Sequence, residues 1–125
     1  MDKQIINYKD LLVWQKAYKL CLEVYKITTN FPRSELYGLV SQMRRSALSI
    51  PSNISEGHTR QYTKEFIHFL FIALASSSEL ETQIIISHEM NYMRNEDYDN
   101  ITVKLVEVRK MLNGLINSLR NRIIK

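Results

Sequence analysis

Only one cysteine, two prolines and three glycines occur among the 125 residues. The lone thiol, Cys21, excludes an internal disulfide and a multi-thiolate zinc site. So few prolines and glycines cannot punctuate the many short strands of a β-sandwich or barrel. Continuous apolar runs are short too: the longest, Phe69 to Ala75, is bracketed by His68 and Ser76, well below the roughly 18 residues that cross a bilayer. No membrane span is expected on that ground. The start, Met1-Asp2-Lys3-Gln4, lacks the charged-then-apolar plan of a secretory signal, so a cytoplasmic location is expected. Catalytic signatures are missing as well, with no Gly-x-Ser-x-Gly, no phosphate-cradling glycine loop and no Rossmann fingerprint. No enzymatic activity and no cofactor are expected. Glu65 and His68 form half of a ferritin-like di-iron motif, but neither His58 nor His88 has a glutamate three residues before it, and no metal site is expected.

What is present is helical periodicity. At 45% hydrophobic and 24% charged, the chain reads as one globular domain over residues 1–125. Apolar residues recur at steps of three and four through four segments, and the fold class is all-α. The first helix is expected from Lys9 to Thr29, ending before Asn30-Phe31-Pro32. Val13, Ala17, Leu20, Val24 and Ile27 form one stripe, and Leu11, Trp14, Tyr18, Cys21 and Tyr25 a second beside it. A bundle helix needs an apolar arc of little over 100°, and this one presents about twice that, so a partner subunit is expected to cover the surplus. The second helix is expected to follow Ser34 as N-cap and to carry Leu36, Val40, Met43, Ala47, Ile50 and Ile54 in its core stripe. Pro51 lies inside that repeat and removes a donor from the carbonyl of Ala47, which predicts a kink, and Gly57 reads as a left-handed terminator. The third helix is expected from a capping Thr63 to about Tyr92, with a small-residue patch at Ala73 and Ala75 to Ser78. The fourth starts near Asn95, with acids at its N-terminal end and Arg120, Arg122 and Lys125 at its other, as the helix dipole favours. Its seam is expected to use Tyr98, Ile101, Leu105, Val108, Leu112, Leu115 and Leu119. Short connectors make this an antiparallel up-down four-helix bundle.

Charge is segregated along the chain. Residues 1–45 carry +4, residues 46–103 carry −5 and residues 104–125 carry +5. The two basic helices become neighbours in an up-down ring, which makes Lys9, Lys16, Lys19 and Lys26 on the first, with Arg109, Lys110 and Arg120 on the fourth, the candidate phosphate contacts of a nucleic-acid surface. A purely structural or protein-binding oligomer with no nucleic-acid role is the alternative.

The polar centre of the chain carries a resemblance. Arg44-Arg45-Ser46-Ala47, Ser49-Ile50-Pro51-Ser52-Asn53-Ile54-Ser55-Glu56-Gly57, Arg60, Lys64-Glu65-Phe66 and Phe69-Leu70, with Trp14-Gln15-Lys16-Ala17, Phe31-Pro32 and Glu79-Leu80-Glu81-Thr82-Gln83, resemble the four-helix-bundle family encoded in intervening sequences of bacterial 23S rRNA genes. The chain departs from that pattern at Ser55, where alanine is usual, and at Ala75, where glycine precedes the serine. The resemblance implies a homopentamer without enzymatic activity. It extends to the accessory variability proteins of diversity-generating retroelements, basic pentamers that bind nucleic acid and a reverse transcriptase. RNA or DNA, a protein partner and other copies of the chain are therefore the expected partners. Arg45, Ser49, Pro51, Asn53, Glu56, Gly57, Arg60, Glu65 and Glu79 belong to the shared motif, and their expected role is structural: polar side chains near Pro51 and Gly57 can satisfy freed backbone groups. Glu56 and Arg60 are spaced to pair on one helical face.

Overall fold

A computed structural model describes residues 7–124. Four helices, α1 (Leu12–Thr28), α2 (Ser41–His58), α3 (Thr63–Glu89) and α4 (Asn95–Ile124), account for most of them, and no strand occurs among the described residues. Each helix packs on its neighbours in the chain, and α1 closes the ring on α4. Cross-helix pairs fix the directions. Glu23 reaches Asn100 and Lys104 while Lys16 reaches Glu107, so α1 and α4 run antiparallel. Arg109 reaches Glu81 and Arg120 lies over Phe71, so α4 is antiparallel to α3. The fold is the antiparallel up-down bundle that the periodicity predicts.

One core fills its centre, with Leu20, Val24, Met43, Ile50, Ile54, Leu70, Leu80, Ile84, Ile101, Leu105, Val108 and Leu112 essentially inaccessible. The α4 seam buries Ile101, Leu105, Val108, Leu112 and Leu119 as expected, with Ile116 in the core in place of Leu115, which like Tyr98 is only partly buried, because 3.6 residues per turn drift away from a strict heptad.

Helix ends differ from expectation in instructive ways. The first helix does not begin at Lys9: Tyr8–Asp10 form a 3-10 turn capped by the Asn7 side chain, Leu11 is extended, and only then does α1 start. Its C-terminal carbonyls are met by Arg44, whose guanidinium bonds the Tyr25 carbonyl at 3.2 Å and the Thr28 hydroxyl at 3.0 Å, a cation where the helix dipole is negative. Ser34 is not the cap of the second helix. It lies in a 3-10 turn over Arg33–Glu35, followed by a π-helical turn over Leu36–Val40. There Glu35 Oε1 accepts from the Leu39 N–H, and Leu36 stays 43% exposed instead of joining the core. Within that stretch the backbone departs from helical geometry at Gly38 (φ −111°, ψ −107°), while α2 runs on continuously through the buried Pro51.

Gly57 corrects the sequence reading most clearly. It is helical and buried inside α2, with no positive φ, so it terminates nothing. Its role is spatial: a Cβ there would fall 2.7 Å from Phe69 Cβ and 3.0 Å from Phe66 Cδ1. Together with Ala47, Ala73, Ser76 and Ser77, all buried, it allows α2 and α3 to approach closely. The third helix starts from an extended Tyr62 without a side-chain cap, so Thr63 is its first residue and not its N-cap. It ends at Glu89, three residues before expectation. Asn91 takes the left-handed conformation (φ 61°), with its N–H on the His88 carbonyl and the Tyr92 N–H on the Ser87 carbonyl, the two bonds of a Schellman cap.

The 27 residues of α3 are long and apolar enough to cross a membrane by length and composition, which corrects the expectation drawn from continuous runs alone. Here α3 is a bundle helix. Its buried stripe, Leu70, Ala73, Ser77, Leu80, Ile84 and Ser87, lies against α2 and α4.

Candidate functional site

The basic residues singled out from the sequence are not gathered into one patch. Lys9 leaves the arc because it precedes α1, and its carbonyl receives the Gln15 amide at 2.8 Å. Lys16 faces Glu107 across the α1–α4 seam at 3.5 Å, next to the Lys104–Glu23 pair at 2.8 Å, so this junction alternates in sign. Arg109 and Arg120 occupy the opposite edge of α4. Arg109 is bound to Glu81 at 2.7 Å and to Ser78 at 3.1 Å, and Arg120 sits 5.0 Å above the Phe71 ring. Lys19, Lys26 and Lys110 are exposed and form no ion pair among the described residues. Lys110 lies beside Val103 and Val106, two outward-facing apolar residues of α4.

The aromatic surplus of α1 is real and only half covered. Trp14 stacks on Tyr18 (ring centroids 5.1 Å apart, planes at 9°) and receives the edge of Tyr8 at 5.4 Å. These rings, with Leu48 and Pro51 of α2, line a cleft of about 220 Å³. Tyr18 remains 45% exposed and Leu48 50%, and the same side of the bundle continues through Tyr25 and Leu36 to Tyr37, also exposed. Cys21 lies under this face. Burial pushes its thiol up from the ordinary value, which keeps it protonated and unreactive at neutral pH.

The motif residues divide into three groups by contact, with Glu65 apart from them. Arg45, Ser49 and Glu79 line one groove of about 490 Å³ between α2 and α3. Ser49 Oγ is fixed there by Ser76 Oγ at 2.8 Å and by the Asn53 amide at 2.9 Å, and that amide also reaches the Ser49 carbonyl. Asn53 thus serves Ser49 and not the Ala47 carbonyl that Pro51 leaves without a donor. Glu56 and Arg60 do pair, at 2.8 Å, with Arg60 also 4.8 Å above the Phe69 ring. Pro51 and Gly57 are packing positions, the first under the aromatic cleft and the second against Phe66 and Phe69. Glu65 lies in the first turn of α3, where its charge suits the helix dipole.

Sequence reasoning missed Gln42, Ser46 and Gln83 of this groove. The signal was available: Gln42, Arg45 and Ser49 repeat at three and four on α2, and Glu79 and Gln83 at four on α3, two polar stripes facing each other. Gln83 Oε1 is buried without a hydrogen-bond partner, the only such side-chain atom among the described residues. An acceptor left in that state costs about 1–3 kcal/mol.

These features define a class, an all-α four-helix bundle with one polar interhelical groove and one aromatic face. The chain belongs to the 23S rRNA-intervening sequence protein family, whose profile it matches over residues 9–114. A solved structure from Bacteroides thetaiotaomicron, described as a protein with unknown function from the S23 ribosomal protein family, is similar to it at 28% identity with a TM-score of 0.76, covering 84% of this chain and 98% of that one. No curated protein matches it.

Proposed function

We propose that the chain acts as a non-enzymatic homo-oligomer of the cytoplasm that holds RNA or DNA on outward-facing lysines. The observation that carries the oligomer is the half-covered face formed by Trp14, Tyr18, Tyr25, Leu36 and Leu48, a width of exposed apolar side chain that marks an interaction surface. Five-fold closure is what the family resemblance implies, and it requires this face to meet a different surface of the next copy so that the contacts close into a ring. The nucleic-acid reading is supported by Lys19, Lys26 and Lys110, exposed cations that form no ion pair among the described residues.

Sedimentation velocity and native mass measurement test the first part. Wild-type protein is expected above 14.8 kDa at micromolar concentration, and Tyr18→Asp with Leu48→Asp is expected to yield a folded monomer. Binding of structured RNA and duplex DNA as a function of salt tests the second. Changing Lys19, Lys26 and Lys110 to Gln should weaken binding to all sequences alike and flatten log K against log salt by about one unit per lost contact. The same change at Lys16 or Arg109 should matter less, because Glu107 and Glu81 already offset those charges. A folded, assembled protein with no affinity at low salt would leave the protein-binding oligomer as the reading.

A further inference from the structure

We propose that the groove between α2 and α3 is a binding site for a guanine base, in a free nucleotide or in an unpaired position of a strand. Two opposite charges meet there without neutralising each other: Arg45 and Glu79 line the same groove and form no ion pair among the described residues. Gln83 lines the same groove, one turn further along α3 from Glu79. Tyr37, 93% exposed at the rim, provides a ring that a planar ligand can stack on.

This combination narrows the chemistry. A phosphate or other simple anion would be repelled by Glu79, a plain ammonium ion by Arg45, and a divalent cation would find a single carboxylate. The occupant must carry adjacent N–H donors on one edge and acceptors on another. Guanine has that pattern: N1–H and the N2 amine together suit the two oxygens of a carboxylate, while O6 and N7 suit the fork of an arginine. Adenine presents an N1 lone pair where guanine presents N1–H, and that lone pair opposes Glu79. The groove, at about 490 Å³, is large enough for a base with its ribose. None of this depends on the lysines of α1 and α4.

The test is a titration of the full-length assembled protein with guanosine, 5′-GMP, inosine and 5′-AMP, followed by amide chemical shifts of α2 and α3 and by calorimetry. Guanosine and GMP should saturate, with shifts centred on Arg45, Glu79 and Gln83. Inosine, lacking the N2 amine, should bind about tenfold more weakly and AMP more weakly still. Glu79→Ala and Arg45→Lys, both exposed helix positions where folding tolerates substitution, should each reduce GMP affinity at least about fivefold. Guanosine is uncharged, so its failure while salt-dependent RNA binding persists would overturn this inference alone, and its success without RNA binding would overturn only the nucleic-acid reading. Tetranucleotides UUGU and UUAU separate the sources: a strand site favours UUGU over GMP, a nucleotide site GMP over UUGU. Equal binding of GMP and AMP, unchanged affinity in both variants, or a groove closed to every probe because a second copy fills it would overturn the proposal.

Discussion

Two glycines show how one missing methyl group takes opposite meanings in one bundle. At Gly57 an added Cβ meets Phe69 at 2.7 Å, whereas at Gly114, inside α4, nothing lies within 4 Å. Helix propensity favours alanine at both by about 1 kcal/mol. Overpacking at Gly57 costs about 1–3 kcal/mol and, with backbone and a Cβ on the far side, has no flexible tip to yield. Gly114→Ala should therefore raise the urea midpoint, and Gly57→Ala should lower it and disturb the α2–α3 contact. Nothing in the sequence distinguished these residues, because a glycine six residues past a proline reads equally well as a terminator. Only the position of Phe66 and Phe69 on the neighbouring helix decides it. Tyr92 carries a second prediction. Its hydroxyl donates to Glu35 Oε2 at 3.0 Å, and that bond, with desolvation and the negative carboxylate, raises the phenol above its ordinary value near 10. A raised native value means a contribution fully present below about pH 10 and lost as pH climbs through the native value. Denaturant midpoints measured from pH 9 to 11 should fall more steeply for wild type than for Tyr92→Phe.

Elements were legible to the extent that periodicity governs them. The four helices, their order and most of the core stripes follow from steps of three and four, since burial of one face is what stabilises a bundle helix. Their ends do not follow, because caps are settled by contacts that come from other parts of the chain. Arg44 closes α1 from α2, and Glu35 joins the start of the second helix to the turn after α3. Asn91 is the local exception, a residue type that tolerates the left-handed region and ends the third helix inside the span expected for it. Replacing it with Ala should cost about 1–2 kcal/mol, the penalty of a Cβ in that conformation, while Asn91→Gly should be neutral or slightly stabilising. Thermal melts of the two variants check this. The candidate site was half legible for a related reason. Lysines could be assigned to faces by counting, but their acid partners lie on other helices, and a groove is a property of two helices together.

At the scale of the whole molecule, assembly and stability are one question. If the aromatic face of α1 and α2 is covered by another copy, the melting temperature should rise with protein concentration by mass action, and Tyr18→Asp with Leu48→Asp should abolish that dependence. Charge also has a direction at this scale. The acids at the start of α4, Glu96, Asp97 and Asp99, lie at one end of the bundle, and Arg120 and Arg122 lie at the other, about 40 Å away along a helix of 30 residues. The chain alternates up and down, so the start of α1 and the turn from α2 to α3, with Arg60 and Lys64 nearby, share the second end. Both ends are nonetheless mixed in sign, because Arg94 pairs with Asp97 at the first and Glu56 with Arg60 at the second, so the charge difference along the bundle is small. A small end-to-end difference of that kind only biases how a charged partner approaches in dilute buffer, and physiological salt, with a screening length of about 8 Å, suppresses the bias.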